Sequence, residues 1–212
     1  MVVKIKICGL SNEADALQAA QLGADAIGLN FYAGSPRYIQ EETAEAIMRA
    51  LPALVEPVGL FVNEPFERVQ AVMTRLGLRT FQTHGKSQEI MRPGALRHIP
   101  AFSVRDQGSL LDITTYLELC RGLASVPAAI LVDAHVPGLH GGTGQTAPWD
   151  LLADFQPGVP LILAGGLTPD NVAQAVRRVR PYAVDVASVV ESSPGRKNVE
   201  KMRRFIEEAR RV

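Results

Sequence analysis

Pro160-Leu161-Ile162-Leu163-Ala164-Gly165-Gly166 sets four apolar residues in a row, with no polar alternation, and closes on two glycines. A short, continuously apolar run fits a strand buried on both faces, the usual environment of strands in parallel sheets. Just downstream, Thr168-Pro169-Asp170 offers a helix cap and then proline at the first helical position. That predicts a helix over Asn171–Val179, and strand, glycine turn and helix together make one β/α unit. The unit recurs on both sides. Apolar runs begin near Val3, Ala26, Pro57, Arg79, Ile99, Ala128, Pro160 and Ala183, roughly 20 to 32 residues apart, with helical patterns between them.

Two other helix signals are clear. Ser11-Asn12-Glu13 caps a segment running to Leu22, and Gly23 follows at a favoured terminating position. The last segment, Val199–Val212, carries Arg210 and Arg211 at its end, where cations suit the helix dipole; its Arg and Glu residues read as a solvated face. A doubly wound open sheet is the competing architecture. It would show fewer strands and a GxGxxG turn after the first, where this chain has Cys8-Gly9-Leu10. Eight units in 212 residues therefore predict an α/β fold with a single (β/α)8 TIM barrel as one catalytic domain over residues 1–212.

Composition narrows the functions. Twenty-two basic residues balance 22 acidic ones, so no net field draws the chain to nucleic acid or an anionic membrane. No apolar span approaches the roughly 18 residues of a membrane helix, and the N-terminus lacks a leader's apolar run. Two cysteines without a CxxC pattern argue against a disulfide framework or structural zinc, and a cytoplasmic location is expected.

Barrel enzymes place their chemistry at the C-terminal ends of the strands, and the unusual residues fall there repeatedly. The first run ends in Cys8, the second leads to Arg37, the fourth ends in His84 and the sixth in Asp133. The seventh ends in Gly165-Gly166 and the eighth in Ala187-Ser188. Glycines there let an anion approach the backbone, the next helix begins near Pro169 with free N–H groups, and Ser188 adds a hydroxyl, which together predict a phosphate grip. Cys8 as a base, with a thiol reference pKa of about 8.5, would need cationic help from Lys6 or Arg37. Asp133 closes the strongly apolar Ala129-Ile130-Leu131-Val132, and partial desolvation suits it to act as an acid. His84 is read as orienting substrate or its neighbours, His98 as surface and Cys120 as packing. The loop His140-Gly141-Gly142-Thr143-Gly144-Gln145-Thr146 lacks the lysine and spacing of a nucleotide-binding loop and suits closure over substrate. His135 and His140 beside Asp133 follow no ligand spacing, so no metal site is expected.

Taken together these motifs resemble the phosphoribosylanthranilate isomerases of tryptophan biosynthesis. The matches are Lys6-Ile7-Cys8-Gly9, Gly23-Ala24-Asp25-Ala26-Ile27-Gly28, Ser35-Pro36-Arg37-Tyr38, Val58-Gly59-Leu60-Phe61-Val62-Asn63 and Gln82-Thr83-His84-Gly85. They continue with Leu131-Val132-Asp133, Gly141-Gly142-Thr143-Gly144 followed by Trp149, Gly165-Gly166-Leu167 and Asp185-Val186-Ala187-Ser188. The resemblance implies an Amadori rearrangement of an aminoaldose to an aminoketose, with Asp133 as general acid, Cys8 as general base and Arg37 on the anthranilate carboxylate. It implies substrate contacts at His84, Gly142, Gly144, Gly165, Gly166, Ser188 and Val189, no cofactor, and a monomer or homodimer acting on a small phosphorylated molecule.

Three positions depart from the family pattern. Val189 stands where glycine usually follows the serine, and its N–H serves phosphate only if the backbone avoids positive φ. Gln145 replaces a lysine after GGTG, and Thr83 replaces an apolar residue. Two alternatives stay open. One is a related sugar-phosphate isomerase of the histidine pathway or a bifunctional one, which would rely on two aspartates. The other is a non-catalytic binding or scaffold protein, for which an acid–base pair would be superfluous.

Overall fold

The computed structural model describes residues 2–85, 90–133 and 149–212. Eight parallel strands close into a barrel in sequence order: β1 Lys4–Cys8, β2 Ala26–Asn30, β3 Glu56–Val62, β4 Thr80–His84, β5 Arg97–Ser103, β6 Ile130–Asp133, β7 Leu161–Ala164 and β8 Ala183–Val186. All eight apolar runs became strands, with ends shifted by a residue or two. Around them lie α1 Glu13–Leu22, α2 Glu41–Ala50, α3 Phe66–Leu76, α4 Gln107–Gly122, α5 Trp149–Ala153, α6 Val172–Val179 and α7 Val199–Arg210. Among the described residues the connection from β4 to β5 carries no helix, unlike a regular unit. Pro93 there cannot donate a helical hydrogen bond, and Gly94 turns the chain at φ 61°.

Strand periodicity sorts the side chains into two cores. One parity, with Ile5 and Ile7, Ile130 and Val132, Leu161 and Leu163, faces the helices. The other fills the barrel with a smaller cluster including Val58, Ala101, Leu131, Ile162 and Ala183. Because side chains alternate, the inward parity at the upper ends of β1, β4, β6 and β8 falls on Cys8, His84, Asp133 and Asp185. No described helix is long and apolar enough to cross a membrane.

The α1 caps are as expected: Asn12 accepts the Asp15 N–H at 2.9 Å, and Gly23 ends the helix in the left-handed region. Helix α6 begins later than Pro169. Asn171 folds back, its Oδ1 accepting the Thr168 N–H at 2.7 Å and its Nδ2 donating to Gly166 O at 2.9 Å. Residues 168–171 are thereby held as a turn, and the helix starts at Val172. Between β8 and α7 lie a short 3-10 turn, Ser188–Val190, and an antiparallel hairpin of β9 Glu191–Ser193 and β10 Arg196–Lys197, neither foreseen from the sequence. Cys120 is packed inside α4 as expected.

His98 corrects the surface reading. It lies on β5, is buried, stacks on Phe81 with centroids 4.7 Å apart, and its Nε2 meets Thr83 Oγ1 at 2.8 Å. This pairing accounts for the threonine at 83, which partners a ring nitrogen that would otherwise be buried alone. Burial drives the His98 pKa down from 6.5 to about 4. Between those values the unfolded chain binds a proton that the folded chain refuses, so stability is complete above the upper value and falls as pH drops towards the lower. We expect His98→Gln to flatten this acid-side slope. Urea unfolding from pH 7 to 4 should show the wild type losing on the order of 3 kcal/mol more than the variant. Parallel curves would mean that His98 does not titrate as described.

Candidate active site

A cavity of about 370 Å³ opens at the C-terminal ends of the strands and is lined by Cys8, Arg37, His84, Asp133, Gly165, Gly166, Ser188 and Val189, all eight predicted from the sequence. Gly142 and Gly144, with Gln145, His135 and His140, lie outside the described residues. Each lining residue owes its place to local structure. Cys8 ends β1 with its thiol against Gly28 on β2, where a Cβ would sit 2.5 Å from Sγ; only glycine leaves room for the thiol. Gly165 and Gly166 follow β7 at φ 83° and 66°, conformations that expose main chain and strain any other residue. Val189 is not among the residues with positive φ, so its N–H remains usable without strain.

The anion grip differs from expectation in one respect. The Asp170 and Asn171 N–H groups donate to Thr168 Oγ1 and to Thr168 O, so the first turn after Pro169 is partly spent. The glycine pair after β7 lines the cavity together with Ser188 and Val189 of the turn after β8.

Electrostatics around the thiol are set by neighbours on the first and last strands, far apart in order but adjacent across the barrel's closing seam. Lys6 shares the inward face of β1 with Cys8, and the closing register sets it beside Asp185 on β8, with Nζ 2.8 Å from Oδ1. Burial pulls the Lys6 pKa down, but Asp185 and Cys8 more than offset this and hold it above the usual lysine value. Burial pushes the Cys8 thiol up, Lys6 and Lys197 oppose that, and the net shift is upward. Lys6 is thus the cationic help sought for Cys8. Burial, and then Lys6, lower the His84 pKa, favouring the neutral ring. Gln82 Nε2 lies 2.6 Å from His84 Nε2; donation from the amide puts the ring proton on Nδ1.

Arg37 lies in the loop after β2, and its Nε and Nη2 donate to Glu191 Oε1 and Oε2, each at 2.7 Å. One side of the guanidinium fork is therefore committed within the protein, leaving Nη1 for a ligand. Glu191 also accepts from Lys197 Nζ at 2.9 Å, on the hairpin. The sequence reading missed Asn30, Gln82, Asp185, Glu191 and Lys197. Asp185 did carry a signal, as a carboxylate inside the apolar run Ala183–Val186. Gln82 lines the cavity, and its Oε1 is buried without a hydrogen-bond partner among the described residues. Glu191 and Lys197 gave no signal, because a hairpin brings them in.

A profile of the N-(5'phosphoribosyl)anthranilate (PRA) isomerase family matches residues 5–208. The N-(5'-phosphoribosyl)anthranilate isomerase of Geobacter sulfurreducens is 45% identical over 210 residues, covering 99% of each chain. The crystal structure of phosphoribosyl anthranilate isomerase from Thermotoga maritima superposes with a TM-score of 0.86 at 38% identity, over 99% of this chain and 100% of that one. A phosphoribosyl anthranilate isomerase crystallised with reduced 1-(o-carboxyphenylamino)-1-deoxyribulose 5-phosphate is similar, with a TM-score of 0.84 and 36% identity over 99% of this chain and 100% of that one. Sequence and fold agree along nearly the whole length, and the chain belongs to the N-(5'-phosphoribosyl)anthranilate isomerase family.

Proposed function

We propose that this chain, as a single catalytic domain, isomerises N-(5-phosphoribosyl)anthranilate to 1-(2-carboxyphenylamino)-1-deoxyribulose 5-phosphate, a cytoplasmic step of tryptophan biosynthesis. The observation that carries the reading is that Cys8, Asp133, Arg37 and the Gly165-Gly166/Ser188-Val189 rim line one cavity. Substrate lies across it, with its phosphate at the rim and its carboxylate on the remaining edge of Arg37. Asp133 gives its proton to the ribose ring oxygen; the C1–O bond breaks and the amine nitrogen's lone pair completes a cationic Schiff base. Cys8 then removes the proton on C2, and the C2–H electrons form a C1=C2 bond while the C=N π pair returns to nitrogen, giving an enolamine. Its enol tautomerises to the ketone as a proton reaches C1. The amine nitrogen is itself the electron sink, so the step calls for no cofactor. Positive charge on the Schiff base favours the thiolate when it is needed, helping to offset the burial that raises the thiol. Neutral His84, held by Gln82, orients the sugar.

The substrate is fluorescent and its consumption can be followed directly. Purified protein added to freshly generated substrate should accelerate the decay far above the spontaneous rate. A folded protein that leaves the spontaneous rate unchanged would sink the assignment.

A further inference from the structure

Lys197 stands behind the cavity, its side chain with 0% of its surface exposed. Its Nζ donates to Glu191 Oε1 and to Ala187 O, both at 2.9 Å, and its own N–H donates to Asp15 Oδ2 at 2.9 Å. A buried ammonium is costly to desolvate, and an apolar side chain often packs such a site at least as well. Glu191 already fixes Arg37 through two hydrogen bonds, so geometry alone leaves Lys197 superfluous. Charge does not. Arg37 and Glu191 cancel, and a carboxylate reaching that pair would meet a neutral partner. With Lys197 included, two cations and one carboxylate sum to one positive charge, unscreened by water on the buried side. Among the described residues the other nearby charges do not supply it: Asp15, which accepts the Lys197 N–H, carries one negative charge that the Lys201 ammonium on the same side offsets. Lys6 and Asp185 form a neutral pair, and Lys201, which reaches Glu191 through its backbone carbonyl at 2.7 Å, is an exposed residue on the solvent side.

We propose that Lys197 is a specificity-determining positioning residue, whose buried charge keeps the Arg37–Glu191 pair net cationic so that the cavity selects substrates bearing a carboxylate on the aromatic amine. The inference rests on reading Arg37 as the carboxylate's partner. It is tested with two substrates, N-(5-phosphoribosyl)anthranilate and its carboxylate-free analogue N-(5-phosphoribosyl)aniline, each formed by condensing the amine with ribose 5-phosphate. Lys197→Met should raise KM for the anthranilate on the order of tenfold, with kcat changed less, while KM for the aniline moves less than about twofold. In Glu191→Gln/Lys197→Met, Arg37 alone supplies one positive charge, and the preference for the anthranilate should return to within about threefold of wild type. If Lys197→Met fails to fold, Glu191→Gln alone, with a local sum of two positive charges, should keep or sharpen the preference.

A purely structural lysine predicts otherwise: both KM values would rise together and the double variant would be no better, which would overturn the proposal. Arg37→Ala separates the two layers of the argument. Loss of preference there but not in Lys197→Met overturns the role of Lys197 alone. Retained preference in Arg37→Ala removes the carboxylate clamp and the inference with it.

Discussion

Cys8→Ser is expected to lower kcat by about 10³-fold while leaving KM within a few-fold of wild type, because the substitution removes a base and little else. Serine is close to cysteine in size, so it fits against Gly28, where the contact is too tight for anything bulkier. A hydroxyl beside Lys6, however, remains protonated at every pH at which the barrel is folded. The wild-type profile should reflect the thiol. Burial holds Cys8 above the ordinary thiol value, so the rate on substrate carrying deuterium at C2 should still be climbing past it. A serine variant that keeps a tenth or more of the wild-type kcat would mean that another group takes the C2 proton.

Asp133→Asn should cost on the order of 10² to 10⁴ in kcat for a different reason, since an amide cannot hand a proton to the ring oxygen. The two losses look alike in a rate assay and are separated by the isotope effect at C2. With Cys8 replaced, proton removal limits the rate and substituting deuterium at C2 should slow turnover several-fold. With Asp133 replaced, ring opening limits the rate and the isotope effect should fall towards unity. A large isotope effect in Asp133→Asn would exchange the assigned roles or remove Asp133 from ring opening. Both side chains end inward-facing strand positions, so neither change removes a helix contact, and melting temperatures close to wild type are expected for both.

The barrel was legible in the sequence because parallel strands are buried on both faces and announce themselves as apolar runs such as Leu161–Ala164. The site was legible to the extent that its residues end those runs: Cys8, His84 and Asp133 lie on the strands, and Gly165 follows one directly. What stayed hidden depends on groups meeting from distant parts of the chain. Glu191 and Lys197 reach the cavity wall through a hairpin of only five strand residues, too short for any periodicity. His98 sits between Arg97 and Ile99, a context that suggests a strand edge, and only the Thr83 hydroxyl facing it makes burial tolerable. The late start of α6 follows from one side-chain choice, Asn171 bonding back to Thr168, which the Thr-Pro-Asp cap signal does not report.

Lys6 and Asp185 meet across 179 residues of chain, at the seam where the first strand pairs with the last. During synthesis Cys8 emerges from the ribosome early, but the counter-ion of its lysine is made only near the end. Until β8 docks, Lys6 has no buried partner, and desolvating it alone would oppose closure of the half-built barrel. A chain truncated before Asp185 therefore holds the Cys8 thiol yet lacks the charge pattern around it. The same high sequence separation predicts slow closure relative to helix formation. Thiol reactivity at Cys8 would then serve as a clock for the last event in assembling the enzyme.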